Sequence, residues 1–304
     1  MSEKTPKNIA ASVRQRLLNK ARNDHRPFNE LLQYFAIERF LYRLSRSPHA
    51  DKFILKGALM LRVWQAPLFR PTMDIDMLGR NTENEVEKIV KQVYDICLVE
   101  VESDGLEFNT ESIRGERITE AADYEGVRIR FVAQLETAKI PMQMDIGFGD
   151  VVVPGPQEAI LPTILDFPPP HLFGYSLESA IAEKFEAMVK LGELNSRMKD
   201  FYDIWLLSRQ FDFMGERLKD AMSETLKNRG TNLPSEIVAF SNSFLSMKSG
   251  QWQAFHRRLG QENIPADFAK IMGHVKIFLD PIVESIRSGK ATPSNWEAPG
   301  PWGK

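Results

Sequence analysis

The chain has 304 residues, enough for one large domain or two ordinary ones, and its 43% hydrophobic content is that of a globular protein. A formal charge of -2 excludes a generally basic nucleic-acid coat, though not a local patch. A single cysteine, Cys97, excludes an intrachain disulfide and suits a reducing, cytoplasmic setting.

Residues 1–26 are polar and charged, so no signal peptide is expected, and no apolar run approaches membrane-spanning length. Clustered Cys/His ligands, a Walker phosphate loop and a Gly-x-Ser-x-Gly elbow are absent from the sequence.

In chain order, Asn8 to Arg22 reads as a basic amphipathic helix with Ile9, Val13, Leu17 and Leu18 on one side. Pro27 ends it, and Phe28 to Ser45 is a second helix. Lys7, Arg14, Arg16, Lys20, Arg22 and Arg26 make this region locally basic, either as a solvated helix face or as a nucleic-acid contact. Phe53-Ile54-Leu55 is a short strand, and Lys56-Gly57 turns it into a helix from Ala58 to Trp64. Asn84 to Cys97 is another helix, with Val86, Ile89, Val90, Val93 and Ile96 as its buried stripe. Val127 to Phe131 and Met142 to Phe148 alternate as strands. Pro154 to Pro170 is expected to be a connector. Beyond it the chain reads as mainly helical: Leu177 to Leu191 capped by Ser176, Lys199 to Gln210, Asn232 to Phe244 and Phe268 to Ile286. The expected division is an α/β half over residues 1–165, a helical domain over 166–288 and a loose tail over 289–304.

The most informative segment is Thr72-Met73-Asp74-Ile75-Asp76-Met77-Leu78. On a strand, alternate side chains share a face, so Asp74 and Asp76 point one way. Two adjacent carboxylates repel unless a cation or strong donors separate them, and a hard divalent ion prefers such oxygens. The pair reads either as a metal site or as a solvated polar strand face. Asp145 lies on a strand that can pair beside it and is a candidate third carboxylate. Such a cage suits phosphoryl or nucleotidyl transfer. The strand–glycine–helix turn at Lys56-Gly57 would offer backbone N–H groups to phosphate. Lys184 falls at the edge of an apolar helix stripe, where a lysine either snorkels to solvent or neutralises an anion. Asp200 and Asp203 are one turn apart on a later helix, with Asp200 also readable as an ordinary N-cap.

These motifs together resemble the AbiEii/AbiGii toxin family of nucleotidyltransferases, in the DNA polymerase β-like nucleotidyltransferase superfamily. The resemblance runs from about Val13 to Leu207. It rests on Val13-Arg14-Gln15-Arg16-Leu17-Leu18, Glu38-Arg39-Phe40-Leu41-Tyr42-Arg43-Leu44, Phe53-Ile54-Leu55-Lys56-Gly57 and Arg70-Pro71-Thr72-Met73-Asp74-Ile75-Asp76. Ala182-Glu183-Lys184-Phe185 and Lys199-Asp200-Phe201-Tyr202-Asp203-Ile204 complete it.

The resemblance implies an α/β (α+β) fold: a mixed sheet with flanking helices, then a mainly helical domain. It implies a toxin of a type IV toxin–antitoxin system that transfers a nucleotide from a nucleoside triphosphate to RNA, at a tRNA 3′ end, releasing pyrophosphate. Asp74 and Asp76 then look like the metal-binding pair and Asp145 like the third acid, with Mg2+ or Mn2+ as cofactor. Gly57 looks like the turn glycine, Lys184 like the nucleotide-contacting lysine and Asp200 like the downstream acid. Lys56 and Thr72 are further candidates for holding the triphosphate. A cognate antitoxin is the implied partner, and no membrane is. Ala58 departs from the serine or glycine usual after the turn glycine. Two other readings are a protein-nucleotidylating enzyme and a nucleotide-binding regulatory protein without turnover.

Overall fold

The computed structural model describes residues 8–66, 72–120 and 124–303. Lys7 of the basic region, Arg70 and Pro71 before Thr72, and Lys304 of the tail lie outside the described residues. The chain divides into two units: Met1–Gln65, Pro71–Gly149 and Gln157–Gly174 form one, and Ala66–Arg70, Asp150–Pro156 and Tyr175–Lys304 the other. The boundary expected at residue 165 falls inside a segment of the first unit.

The first unit opens with helices α1 (Ile9–Asn23) and α2 (Phe28–Arg46). The Asn8 side chain accepts a hydrogen bond from the Ala11 amide and satisfies a free donor at the start of α1. Much of the basic surface here is balanced within the chain. Lys20 pairs with Asp24 at 3.1 Å, and Arg26 with Glu30 at 2.6 Å. Strands β1 (Phe53–Lys56) and β2 (Ile75–Gly79) flank the five-residue helix α3 (Leu59–Val63). Then come α4 (Val86–Cys97), β3 (Leu106–Glu120), β4 (Tyr124–Leu135), β5 (Ala138–Phe148), β6 (Gln157–Ile160) and β7 (His171–Gly174). The sheet order is β3-β4-β5-β2-β1-β7-β6. The β2–β5 and β1–β7 pairs are parallel and the rest antiparallel.

Pairing register turns the period of two into rows across the sheet. Leu55, Met77, Ile146 and Val127 stand in one row, all buried, on the face that forms a core with α1, α2 and α4. The next row along is charged and faces the other way.

Two parts of the sheet differ from expectation. β3 was not foreseen, because a bulge between Asn109 and Arg114 shifts its register. Leu106 is buried before the bulge and Ile113 after it, so the buried phase switches from even to odd numbers. At the bulge the Ser112 hydroxyl replaces a backbone acceptor for the Val132 amide, at 2.9 Å. The expected connector 154–170 contains β6, which sits at the sheet edge, where neighbouring prolines are tolerated.

The second unit is mainly helical: α5 (Leu177–Leu191), α6 (Met198–Gln210), α7 (Gly215–Asn228), α8 (Asn242–Leu259) and α9 (Phe268–Ser288). Ser176 caps α5 as expected, accepting from the Ser179 amide at 3.1 Å. The helix expected over Asn232–Phe244 is instead a loop with a single 3-10 turn, Val238–Phe240, before α8. Helix α7 was not anticipated. The tail also departs from expectation. β9 (Asn295–Trp296) pairs with β8 (Phe213–Met214), and the fully buried Trp296 donates its indole N–H to the Ser208 carbonyl at 2.6 Å. Trp302 stacks on Phe278 with ring centroids 5.6 Å apart. Large aromatic surfaces removed from water outweigh the entropy of ordering this proline-rich segment.

Among the described residues, no helix is long and apolar enough to cross a membrane.

Candidate active site

The charged row of the sheet is Lys56, Asp76, Asp145 and Arg128. Lys56 stands opposite Asp76 on β1 and β2, Asp76 opposite Asp145 on β2 and β5, and Arg128 opposite Asp145 on β4 and β5. Two carboxylates thus lie side by side between two cations. Lys56 and Asp145 are each only 8% exposed, a burial that strengthens every charge interaction in the row. Arg128 grips Asp145 with both arms of its fork, Nε to Oδ1 at 2.7 Å and Nη2 to Oδ2 at 2.6 Å. The hydrogen bond to Asp145 is the main cause of a raised Arg128 pKa, with further help from the charges of Glu116 and Asp74.

Asp74 lies just before β2 and is exposed. Helix α2 anchors the chain leading into it. Tyr34 accepts a hydrogen bond from the Thr72 amide at 3.0 Å, and the Gln33 amide donates to the carbonyls of Met73 and Pro141 at 3.3 and 2.9 Å. Thr72 donates its hydroxyl to the Asp74 carbonyl at 3.4 Å. Gly57 follows Lys56 with φ of +72°. Its missing side chain leaves the space that the Asp76 carboxylate occupies.

Among the described residues, no group of three or more histidine, cysteine, aspartate or glutamate side chains is arranged to hold a metal ion. Of the three carboxylates expected at such a site, Asp145 has both oxygens engaged by Arg128. Asp74 and Asp76 still fit a hard divalent cation by their chemistry, and the Asp76 carboxylate rests in the space left by the missing side chain of Gly57. The expected phosphate-binding helix after Gly57 is also reduced. Five residues of α3 replace the span Ala58–Trp64, too short for a sizeable helix dipole. What remains at the turn is the Lys56 charge and the glycine backbone.

The other expected residues come together in the second unit. Lys184 on α5 donates to Asp203 Oδ2 at 2.8 Å and Asp200 Oδ1 at 3.2 Å on α6. One helical turn separates the two acids, which lets both face one ammonium. Asp200 is not the N-cap, a position taken by Arg197, whose Nε lies 2.5 Å from Asp200 Oδ2. Two buried carboxylates and two cations leave this cluster close to neutral. Beside it, Arg229 bridges Asp150 and Glu186, each at 2.8 Å, and Glu183 at 3.2 Å.

The family model "Nucleotidyl transferase AbiEii toxin, Type IV TA system" matches residues 39–274, more than half of the chain. The chain belongs to this family. It is a nucleotidyltransferase of the AbiEii toxin type, and membership implies a nucleoside triphosphate substrate, a divalent metal and an antitoxin partner. Two solved structures are similar. One, described as a "putative nucleotidyltransferase from H. pylori", has 13% identity and a TM-score of 0.46, covering 83% of this chain and 94% of its own. The other, JHP933 from Helicobacter pylori, has 13% identity and a TM-score of 0.46, covering 85% and 94%. No curated protein matches the chain.

For this AbiEii-family chain, sequence reasoning missed Arg128, Gln33, Tyr34 and Arg229. Arg128 had a legible signal, since it sits on the polar phase of an alternating strand and tertiary pairing sets it opposite an acid. Gln33 and Tyr34 had none, because they lie amid the apolar residues of α2. The Glu38-Arg39 dipeptide that helped carry the resemblance has a structural role. Glu38 accepts from the Ile164 amide at 2.9 Å, and Arg39 donates to the Pro168 carbonyl at 2.7 Å.

Proposed function

We propose that the chain transfers a nucleotidyl group from a nucleoside triphosphate to a hydroxyl of RNA, at a tRNA 3′ end, in a magnesium-dependent reaction that releases pyrophosphate. The reading places this chemistry in the cytoplasm. The observation that carries it is the charged row Lys56–Asp76–Asp145–Arg128, with Asp74 two residues before Asp76, just ahead of β2.

In this reading Asp74 and Asp76 hold the metal. The ion, when bound, supplies Lewis-acid stabilisation of charge on the transferring phosphoryl group. Lys56 offsets charge on the triphosphate, and the Gly57 turn lets phosphate approach the backbone. Arg128 holds Asp145 in place through two hydrogen bonds and offsets its charge, so that the uncompensated negative charge is drawn toward Asp74 and Asp76. In the second unit, Asp200 and Asp203 orient Lys184, for which the role of a nucleotide-contacting lysine is proposed.

The test is incubation of the protein with each labelled triphosphate, magnesium and total cell RNA. Incorporation into RNA by the wild type, lost in Asp74→Asn with an unchanged thermal midpoint, is the expected result. Equal incorporation by the variant would sink the assignment. Label that survives RNase would move the acceptor to protein.

A further inference from the structure

A cavity of about 440 Å³ in the second unit has no part in the chemistry above. Its walls come from α6, α9 and the loop before α9, with Trp205, Arg209, Gln210, Asn263, Lys270 and His274 around it. Trp205 and Arg209 are one turn apart on α6, and Lys270 and His274 are one turn apart on α9. The two helices therefore each contribute one formal cation to the same opening. Among the described residues, no carboxylate lines it.

The pocket is built before any ligand arrives. The Trp252 indole donates to the Pro265 carbonyl at 3.1 Å, and His256 Nε2 lies 2.8 Å from the Ile264 carbonyl oxygen, which fixes the loop wall. His274 contacts the Ser208 hydroxyl at 3.0 Å. Burial, and then the charge of Arg209, push its pKa down to about 4, so it is a neutral polar wall at physiological pH. The charge in the opening therefore comes from Arg209 and Lys270. Both are exposed, and among the described residues neither has an ion-pair partner. The Arg209 guanidinium lies over the Trp205 ring, 5.5 Å from its centroid, which holds the fork in place.

Two exposed cations at a cavity of this size match the phosphate chemistry of single-stranded nucleic acid. A chain of net charge -2 gains no attraction for a polyanion from its overall field, so recognition needs a local patch of this kind. We propose that this pocket binds a phosphodiester of the RNA acceptor, with Arg209 and Lys270 as the phosphate contacts. The proposal rests on the reading that the acceptor is RNA, and it adds a docking subsite outside the sheet.

The test uses the full chain and fluorescence anisotropy of a labelled single-stranded RNA oligomer across a range of salt concentrations. The double variant Arg209→Gln/Lys270→Gln should bind about tenfold more weakly, with a log–log salt slope shallower by about 1.4, or about 0.7 per lost phosphate contact. Lys270→Glu alone should weaken binding and Lys270→Arg should retain it. A fluorescent nucleoside triphosphate, titrated without RNA, should bind all variants as it binds the wild type. Unchanged RNA affinity and slope in folded variants would overturn the proposal. So would a loss confined to the free triphosphate or to the purified antitoxin. A wild type that labels no RNA, yet shows the expected loss of RNA binding in the double variant, defeats the transfer reading and leaves the pocket assignment standing.

Discussion

A Cβ added to Gly57 would stand 2.1 Å from Oδ2 of Asp76. The absence of a side chain at one position thus defines where the carboxylate of another can rest. Gly57→Ala forces Asp76 aside and also strains a backbone at φ of +72°. Pyrophosphate release should fall by about 10²-fold, the scale on which a misplacement of about 1 Å acts. The thermal midpoint should drop only modestly. Activity within a factor of about two of wild type would show that Asp76 placement does not matter to the reaction.

Arg128 and Asp145 form a two-armed ion pair whose acid is nearly buried. Removing the arginine leaves a carboxylate in a poorly solvated place. Arg128→Met should therefore destabilise the protein by about 2 kcal/mol, below the full penalty for a buried pair because Arg128 is partly exposed. Urea unfolding of the variant beside Arg128→Met/Asp145→Leu checks this. The double variant should recover much of the loss.

Glu38 is buried on α2, and burial raises its carboxyl pKa from 4.5 to about 7, against smaller opposing effects of the Ile164 amide and Arg39. The folded state therefore holds this proton more tightly than the unfolded chain. The resulting stability is fully present below pH 4.5 and is lost as pH rises through about 7. Wild-type stability should fall by about 3 kcal/mol from this group across that window. Glu38→Gln should remove the slope, and denaturant midpoints measured at acid and mildly alkaline pH compare the two. A parallel decline in both proteins would assign the pH dependence elsewhere.

Trp296 is wholly buried and hydrogen-bonded to Ser208, although it lies in a segment rich in proline and glycine. Trp296→Ala should cost about 3–5 kcal/mol. Truncation before Pro293 should have a comparable effect. A truncated chain that melts with the wild type would show that the tail adds nothing to the second unit.

The local pattern of the chain was enough for the helices α1, α2, α4, α5 and α6, the strands around Lys56 and Asp76, and the Asp-x-Asp pair. Each follows from a period of 3.6 or 2 and a recognisable cap or break, which are properties of neighbouring residues. β3 escaped because its bulge reverses the alternating phase, and the packed tail escaped because its stability comes from contacts with residues distant in sequence. The same distinction holds at the site. Adjacent aspartates mark a place of concentrated charge, but which carboxylate is engaged by a cation depends on strand pairing. Arg128 meets Asp145, and Asp76 meets Gly57, only because the sheet brings β4, β5, β2 and β1 side by side. Short-range sterics and periodicity are written along the chain, whereas the partner of a buried charge is set by register between segments far apart in it.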